Sequence, residues 1–241
     1  MNQHSKTIIF IVFIILLLVI GVNVITSFKI RTTKRLKGYE VHGIDVSHYQ
    51  SQINWNKVQN ASIDFVFIKA TEGKDFKDPK YKYNWRSAKE KNILRGAYHF
   101  YRPSVYSHIQ AANFIRTVQL KPGDLPPVLD LEETDNRSKA IIVKGVRNWL
   151  NIIESHYGVK PIIYVNKNWY DKYIKGNFDD YVIWVAAYTI YPKPKLTNNK
   201  QWHFWQYTNK GQIDGIRGKV DLNVFNGSKK ELQQFILSVQ Q

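Results

Sequence analysis

The chain has 241 residues and a formal net charge of +16 at pH 7, from 35 Lys and Arg against 19 Asp and Glu. Hydrophobic residues at 44% and charged residues at 22% are ordinary for a folded protein, which excludes a disordered chain and a polytopic membrane protein. The absence of cysteine excludes disulfides, thiolate chemistry and cysteine metal sites.

The positive charge indicates a polyanionic neighbour, either nucleic acid or an anionic cell envelope. The basic residues are spread along the whole chain, without a recognition-helix, zinc or RNA-binding signature. We therefore expect anionic cell-wall polymers, and no nucleic acid, as partners. The aromatic content of 14% fits a surface on which sugar rings pack, although most aromatic residues of any protein lie in its core.

The first 28 residues form a targeting segment. No charged residue occurs in residues 7–28, and Ile8–Ile20 is wholly Ile, Val, Leu and Phe. A helix of this length would be roughly 33 Å long and would span a bilayer. Because no A-x-A-like site follows, an uncleaved signal anchor is favoured over a signal peptide. The expected organisation is a signal anchor or signal peptide at 1–28, a basic tether at 29–40 and one globular domain at 41–241.

The charges around this segment conflict with export. Lys6 alone precedes it, whereas five basic residues follow within residues 29–37, so the positive-inside rule alone would keep the globular domain in the cytoplasm. Long domains can nevertheless translocate past flanking charge. Because the substrate inferred below lies outside the cell, we expect a single-pass protein of the cell membrane with its globular domain outside, or a protein secreted to the cell wall.

Short apolar runs alternate with helix-like stretches in the first half of the globular part. This alternation predicts a parallel sheet, and eight runs predict a closed barrel. The expected strands are Tyr39–Ser47, Asp64–Thr71, Leu94–Tyr101, Pro126–Glu132, Pro161–Asn166, Tyr181–Ala187, Trp202–Tyr207 and Lys219–Asn223. The expected helices are Trp55–Asn60, Tyr83–Lys91, His108–Gln119, Ser138–Tyr157 and Lys229–Val239. After the fifth strand the gaps shorten and fill with Pro and Asn, so helices should cover one side of the barrel.

Four carboxylates stand in or at the ends of expected strands, where α/β barrels place their active sites: Asp45, Asp130, Glu132 and Asp221. Asp130 and Glu132 are two residues apart, which puts both side chains on one face of a strand. Two carboxyls that close raise one pKa and supply a protonated acid beside an ionised partner. Glycosidic cleavage requires such a pair.

Each acidic residue alone has a simpler interpretation. Asp-x-Glu after an apolar run is commonly a strand followed by a solvated turn, and Asp45 or Asp221 could cap a helix or order a turn. No metal is expected, because no histidine shares the spacing. His99 and His203 are expected to be hydrogen-bonded structural residues.

At these positions the sequence resembles glycoside hydrolase family 25, the Chalaropsis-type N-acetylmuramidases. The resemblance covers about residues 42 to 228, and the order and spacing of its motifs are specific. The motifs are Gly43-Ile44-Asp45-Val46-Ser47, Lys69-Ala70-Thr71-Glu72-Gly73, Gly96-Ala97-Tyr98-His99-Phe100, Leu129-Asp130-Leu131-Glu132, Trp184-Val185-Ala186-Ala187-Tyr188, Trp205-Gln206-Tyr207 and Val220-Asp221-Leu222-Asn223.

The resemblance implies a modified TIM barrel, (β/α)5(β)3, and cleavage of the β-1,4 bond between N-acetylmuramic acid and N-acetylglucosamine in peptidoglycan. It implies that Glu132 is the general acid, that Asp130 stabilises the reacting centre, and that Asp45 and Asp221 flank them. The implied substrate-binding residues are Tyr98, Tyr164, Trp184, Tyr188 and Glu72. No cofactor is implied. A second acid, Glu133, departs from the motif, and the N-terminal segment lies outside the resemblance.

Three hypotheses therefore remain from the sequence. The first is an active, monomeric muramidase that acts in turnover or remodelling of the cell wall. The second is a wall-binding module that keeps the barrel and its groove without turnover, against which the complete acidic set argues. The third is a cytoplasmic nucleic-acid binder, favoured only by the charge and by the flanks of the apolar segment.

Overall fold

The computed structural model describes Ile14, residues 33–189 and residues 193–236. The expected signal anchor, apart from Ile14, lies outside the described residues, as do residues 29–32 of the tether and the end of the expected last helix. Among the described helices, none has the length and apolar character needed to cross a membrane.

Eight strands close into a barrel, as the sequence predicts. Nine strands are present in the described residues: β1 Val41–Val46, β2 Phe65–Glu72, β3 Phe76–Lys77, β4 Leu94–Phe100, β5 Val128–Asp130, β6 Ile162–Asn166, β7 Val182–Ala186, β8 Phe204–Gly211 and β9 Val220–Phe225. Their order is β1-β9-β8-β7-β6-β5-β4-β2, and β1 pairs with β2 to close the ring. The two-residue β3 pairs only with the end of β2 and stands outside the ring.

Helices follow each of the first five barrel strands. They are α1 Trp55–Asn60, α2 Tyr81–Glu90, α3 Ser107–Thr117, α4 Lys139–Tyr157 and α5 Lys167–Trp169, which continues into a π-helical turn at Tyr170–Ile174. The longest, α4, begins where the Ser138 side chain accepts the Ile141 amide and ends at Gly158, whose φ of 68° suits glycine. A last helix, α6, spans Lys229–Gln233. Five βα units and three further strands therefore make up the barrel.

The last barrel strand departs from the expected parallel sheet. β9 runs antiparallel to both of its neighbours, β1 and β8. A parallel strand needs a crossover connection of about a dozen residues or more, usually a helix, whereas only residues 212–219 join β8 to β9. The chain therefore turns back directly, and the first residues of β9 lie at the end of the barrel where the other strands finish.

Aromatic rings fill the barrel interior. Phe65 and Phe67 of β2 are fully buried there and contact Phe204 edge to face at 5.3 Å. Two glycines make room for them: a Cβ on Gly43 would lie 2.4 Å from the Phe65 ring, and one on Gly96 would lie 2.6 Å from the Phe67 ring. The glycines of the first and third motifs therefore serve packing inside the barrel.

Part of the expected basic tether lies against the barrel. The Thr33 amide donates to the Gln212 carbonyl oxygen at 2.7 Å, and the Gln212 amide donates to Thr33 Oγ1 at 2.8 Å. Leu36 is buried in the main hydrophobic core, and the Tyr39 ring packs on Trp205 at 6.0 Å. The folded unit accordingly includes residues from about Thr33 onward.

Candidate active site

Strand periodicity gathers the polar residues of the barrel interior into one layer. Side chains two residues apart on a strand point to the same side of the sheet. A strand that places one side chain in the middle of the barrel therefore places the side chain two residues further on at the mouth. On β1 the pair is Gly43 then Asp45, and on β5 it is Val128 then Asp130. The layer borders a cavity of about 200 Å³ whose lining includes Asp45, Lys69, Tyr98, Asp130, Glu132, Tyr164, Trp184, Tyr188, Gln206 and Asp221.

The four predicted carboxylates all line this cavity. Asp130 is the last residue of β5 and is buried, with 6% of its surface exposed. Glu132 was expected within that strand but lies just beyond it, in an exposed position at the mouth. The Leu131 amide still donates to the Tyr164 carbonyl oxygen at 3.0 Å, which holds the chain extended as far as Glu132.

The carboxyl groups of Asp130 and Glu132 are close enough for each to shift the pKa of the other. Burial and the neighbouring Glu132 charge raise the pKa of Asp130 well above its ordinary value, against an opposing effect of Lys69. Desolvation raises the pKa of Glu132, and the Glu133 charge adds to this rise. Oδ1 of Asp130 has no donor among the described residues. Ionisation of Glu132 therefore disfavours ionisation of Asp130, so the two carboxyls titrate as an interacting pair.

Asp45 has a different environment from Asp130, although both are buried. Its Oδ2 accepts hydrogen bonds from Asn223 Nδ2 at 2.7 Å and from Gln206 Nε2 at 2.9 Å. These bonds lower the pKa of Asp45, while burial, which is the larger effect, and the Asp221 charge raise it well above its ordinary value. The two amides fix the orientation of this carboxyl.

Asp221 faces Asp45 because β9 is antiparallel. The two residues are direct partners in the β1–β9 ladder. Burial and the Glu132 charge raise the pKa of Asp221 to about 6. Four carboxyls with raised pKa values thus crowd one cavity, and perturbed carboxyls gathered in this way are typical of a site for acid–base catalysis.

Four of the predicted substrate-binding residues form aromatic walls of the cavity. The rings of Tyr164 and Trp184 meet at 4.5 Å, and the Trp184 indole donates to Asn223 Oδ1 at 2.8 Å. The Tyr164 and Tyr188 hydroxyls donate to Gln206 Oε1 at 2.8 and 2.9 Å. The Tyr188 side chain is half exposed at the rim, and Tyr98 lines the same cavity.

Glu72 does not line the cavity. Its carboxylate lies 2.7 Å from Lys69 Nζ and 3.8 Å from the Arg102 guanidinium. Lys69 does line the cavity, and its ammonium also lies over the Phe100 ring at 4.8 Å. Glu72 is thus placed to hold Lys69, which presents the positive charge beside the carboxylates.

Sequence reasoning missed the polar residues that fix the carboxylates. Gln206 and Asn223 bind Asp45 from two different strands, and Lys69 lowers the pKa of both Asp130 and Glu132. All three stand inside the short motifs quoted above. Each is separated by an even number of residues from the side chains of its strand that point into the barrel. This two-residue alternation was the sequence signal that could have identified them as inward-facing. The exposed Tyr49 at the cavity edge follows β1 and carried no such signal.

Acid groups gathered beside aromatic walls at the mouth of an α/β barrel define the class of barrel glycosidases. Comparison with known families gives a match over residues 44–216 to the family described as "Glycosyl hydrolases family 25". The chain belongs to this family, and the resemblance found in the sequence is confirmed.

Relatives and solved structures agree with this assignment. "Uncharacterized protein YegX" of Escherichia coli (strain K12) is 42% identical over 221 residues, covering 90% of this chain and 79% of that protein. "Lysozyme M1" of Streptomyces globisporus is 33% identical over 206 residues, covering 80% and 70%. A family 25 glycosyl hydrolase from Bacillus anthracis is 35% identical with a TM-score of 0.79, covering 86% of this chain and 98% of that chain. The bacterial lysozyme from Streptomyces coelicolor is 31% identical with a TM-score of 0.76, covering 83% and 98%.

Proposed function

We propose that the protein is a peptidoglycan hydrolase that cleaves the β-1,4 bond between N-acetylmuramic acid and N-acetylglucosamine. The observation that carries this proposal is the crowding of four carboxyls with raised pKa values in one aromatic-walled cavity. Membership of glycosyl hydrolase family 25, and relatives named lysozyme and N,O-diacetylmuramidase, support it. A module that only binds glycan would gain nothing from gathering four carboxyls with raised pKa values, two of them buried.

Glu132 is the general acid in this proposal. It stands at the open mouth, where a glycosidic oxygen can reach it, and desolvation raises its pKa, which favours the protonated form that a general acid needs. It gives that proton to the leaving oxygen as the C1–O bond breaks. Its carboxylate then takes a proton from the water that completes hydrolysis.

Asp130 supports the reacting centre. Because Asp130 and Glu132 lie two residues apart in extended chain and their carboxyls interact, we infer a separation shorter than the roughly 6.5–9.5 Å at which an inverting acid and base hold a water between them. The acetamido oxygen of the muramic acid attacks C1 instead, and Asp130 accepts the acetamido N–H and balances the positive charge. Water then opens the cyclic intermediate at C1. NMR should therefore detect the β-anomer as the first product, and glycans de-N-acetylated at that muramic acid should resist cleavage.

Asp45 and Asp221 complete the site. We assign them to the floor and side of the sugar pocket, where Asp45 is held by Gln206 and Asn223. The aromatic walls formed by Tyr98, Tyr164 and Trp184 hold the sugar ring, with Tyr188 at the rim. Glu72 acts on the substrate through Lys69, which it binds.

Glu132→Gln tests the assignment of the acid. The amide keeps the shape of the side chain but has no proton to give, so turnover on purified cell walls should fall by about 10² to 10⁴-fold. Binding of glycan fragments and the melting temperature should be unchanged. Glu133→Gln removes the same charge one residue further on, and this control should retain activity within a few-fold. A Glu132→Gln enzyme with more than a tenth of wild-type turnover would remove Glu132 from the role.

The location of the enzyme is a further part of the proposal. The uncharged apolar stretch at residues 7–28 supports an anchor in the cell membrane, with the barrel outside as a monomer against the wall. Protease added to intact cells should then digest the barrel, and the mature N-terminus should retain residues 1–28. A mature chain that begins near residue 29 would instead establish secretion.

A further inference from the structure

A second groove lies beside the catalytic cavity at the same end of the barrel. It has a volume of about 700 Å³ and runs between the segment that follows β4 and the first half of α4. The β4 segment follows the strand that carries Tyr98, and α4 follows the loop that carries Glu132. Both walls of the groove are thus extensions of elements that build the catalytic site.

The groove combines cationic, amide and apolar groups. His108, Arg137 and Lys144 line it together with the side-chain amides of Asn148 and Asn151. Within residues 33–189 and 193–236, these three basic side chains make no ion pair. No Asp or Glu of the described chain lines the groove. The positive charge there is available to an anionic ligand.

An exposed aromatic ring stands at the edge of the groove. Tyr106 is 76% exposed and stacks on the His108 ring at 5.8 Å with an angle of 22° between the planes. Ile141, on the facing helix, is 52% exposed. Exposed apolar side chains beside Arg and Lys groups that make no ion pair among the described residues are features of a binding surface.

The groove wall is fixed by hydrogen bonds, so the site is formed before any ligand arrives. Gln110 holds the β4 segment through three bonds: it accepts the Arg102 amide at 2.9 Å and donates to the carbonyl oxygens of Arg102 and Val105 at 2.8 and 2.9 Å. The Ser104 hydroxyl donates to Asp135 at 2.7 Å, and Arg102 pairs with the same carboxylate at 2.6 Å. A preformed groove loses little conformational entropy when a ligand binds.

Arg102 also connects the groove to the catalytic cavity. Its guanidinium lies 3.8 Å from Glu72, which binds Lys69 in the cavity lining. A chain of paired charges, Asp135–Arg102–Glu72–Lys69, therefore runs from the segment that walls the groove to the lining of the cavity.

We infer that this groove binds the acidic peptide that peptidoglycan carries on the lactyl group of its muramic acid. The inference rests on the proposed function. Peptide carboxylates match Arg137 and Lys144, peptide amides match Asn148 and Asn151, and alanine methyl groups match the apolar surface around Ile141. A phosphodiester polymer would match only the cations, and a bare glycan would leave them unpaired. The groove thus makes the enzyme selective for glycans that still bear their peptides.

The test compares two substrates with the same glycan length, one with its peptides and one from which an amidase has removed them. The double variant Arg137→Gln/Lys144→Gln should raise KM for the peptide-bearing glycan by about ten-fold, the effect of losing one charge-assisted hydrogen bond. Its kinetics on the peptide-free glycan should match those of wild type. The control Lys195→Gln/Lys230→Gln removes the same charge outside the groove and should leave both substrates unaffected.

Binding measured by calorimetry separates this inference from the proposed function. With the Glu132→Gln protein, peptide-bearing fragments should bind more tightly than peptide-free ones, and the groove variant should abolish the difference. Equal affinities would overturn the inference even if hydrolysis occurs, and so would a defect of the groove variant on both substrates. A defect that disappears once phosphodiester polymers are stripped from the wall would also overturn it. Failure of wild type to cleave any glycan would instead refute the proposed function.

Discussion

At the scale of single residues, the groups that contact each carboxyl, and not burial alone, set its orientation and its ability to exchange a proton. Asp45 and Asp130 have nearly the same exposure, at 7% and 6%. Two amides donate to Asp45, whereas one oxygen of Asp130 has no donor among the described residues and faces Glu132. The first carboxyl is fixed in place, while the second is free to exchange a proton with its neighbour or to accept a hydrogen bond from a substrate.

Asp221 should destabilise the fold at neutral pH. Its pKa is about 6 in the folded protein against an ordinary value of 3.8, so the folded state binds the proton more tightly than the unfolded chain does. The contribution of protonated Asp221 to the free energy of unfolding is complete below pH 3.8 and is lost as the pH rises through about 6. Asp221→Asn should therefore raise the free energy of unfolding at pH 7.5, on the order of 1 to 3 kcal/mol, and give no gain at pH 3.5.

Urea unfolding at the two pH values measures this effect. The control Asp75→Asn makes the same change in charge on an exposed loop and should not alter the difference between the two pH values. An equal gain at pH 3.5 and pH 7.5 for Asp221→Asn would show that packing, and not ionisation, limits stability at this position. Activity should fall in the same variant, because functional sites carry such electrostatic strain.

At the scale of elements, the close approach of β1 and β2 depends on Gly43. Its Cβ position lies 2.4 Å from the Phe65 ring. Gly43→Ala should lower the free energy of unfolding by about 1–3 kcal/mol through overpacking, and should lower activity because Asp45 is two residues further along β1. Denaturant unfolding and an activity assay check both expectations.

A compensating change at Phe65 isolates the cause. Phe65→Leu shortens the side chain that a Cβ at residue 43 would meet, so the double variant should be more stable than the sum of the two single effects predicts. Strict additivity of the two free-energy changes would mean that the cost of Gly43→Ala comes from the backbone conformation of residue 43. It would not then come from a clash between the new Cβ and the Phe65 ring.

At the scale of the whole molecule, the residues before β1 belong to the folded unit. A chain that begins at residue 29 should be soluble, active and monomeric, since it keeps every described core residue. A chain that begins at residue 41 loses buried Leu36, the Thr33–Gln212 hydrogen bonds and the packing of Tyr39 on Trp205. It should be less stable by roughly 2–3 kcal/mol or more, since burying one leucine alone contributes about this amount.

Thermal unfolding of the two truncated chains measures the difference. Leu36→Ala in the longer chain should reproduce a large part of the loss, because it removes the buried side chain and keeps the backbone contacts. Equal melting temperatures for the chains that begin at residues 29 and 41 would show that this segment is a tether that adds nothing to the stability of the barrel.

The sequence by itself determined the eight barrel strands, the helices after the first four, and the four carboxylates at one end, but not the short helix Lys167–Trp169 after the fifth barrel strand. Apolar runs and two-residue periodicity are local properties, so they can be read without knowing which strands meet. The family resemblance added roles that geometry alone does not assign.

Only the tertiary structure decided which polar groups act on those carboxylates. The antiparallel course of β9 sets Asp221 opposite Asp45, and the barrel brings Gln206, Asn223 and Lys69 to the cavity. In a sequence, an amide or a lysine in a strand looks like any solvent-facing polar residue. The function of such a residue arises from partners on other strands, as in the hydrogen bond from Gln206 to Asp45, and that proximity exists only once the barrel has closed.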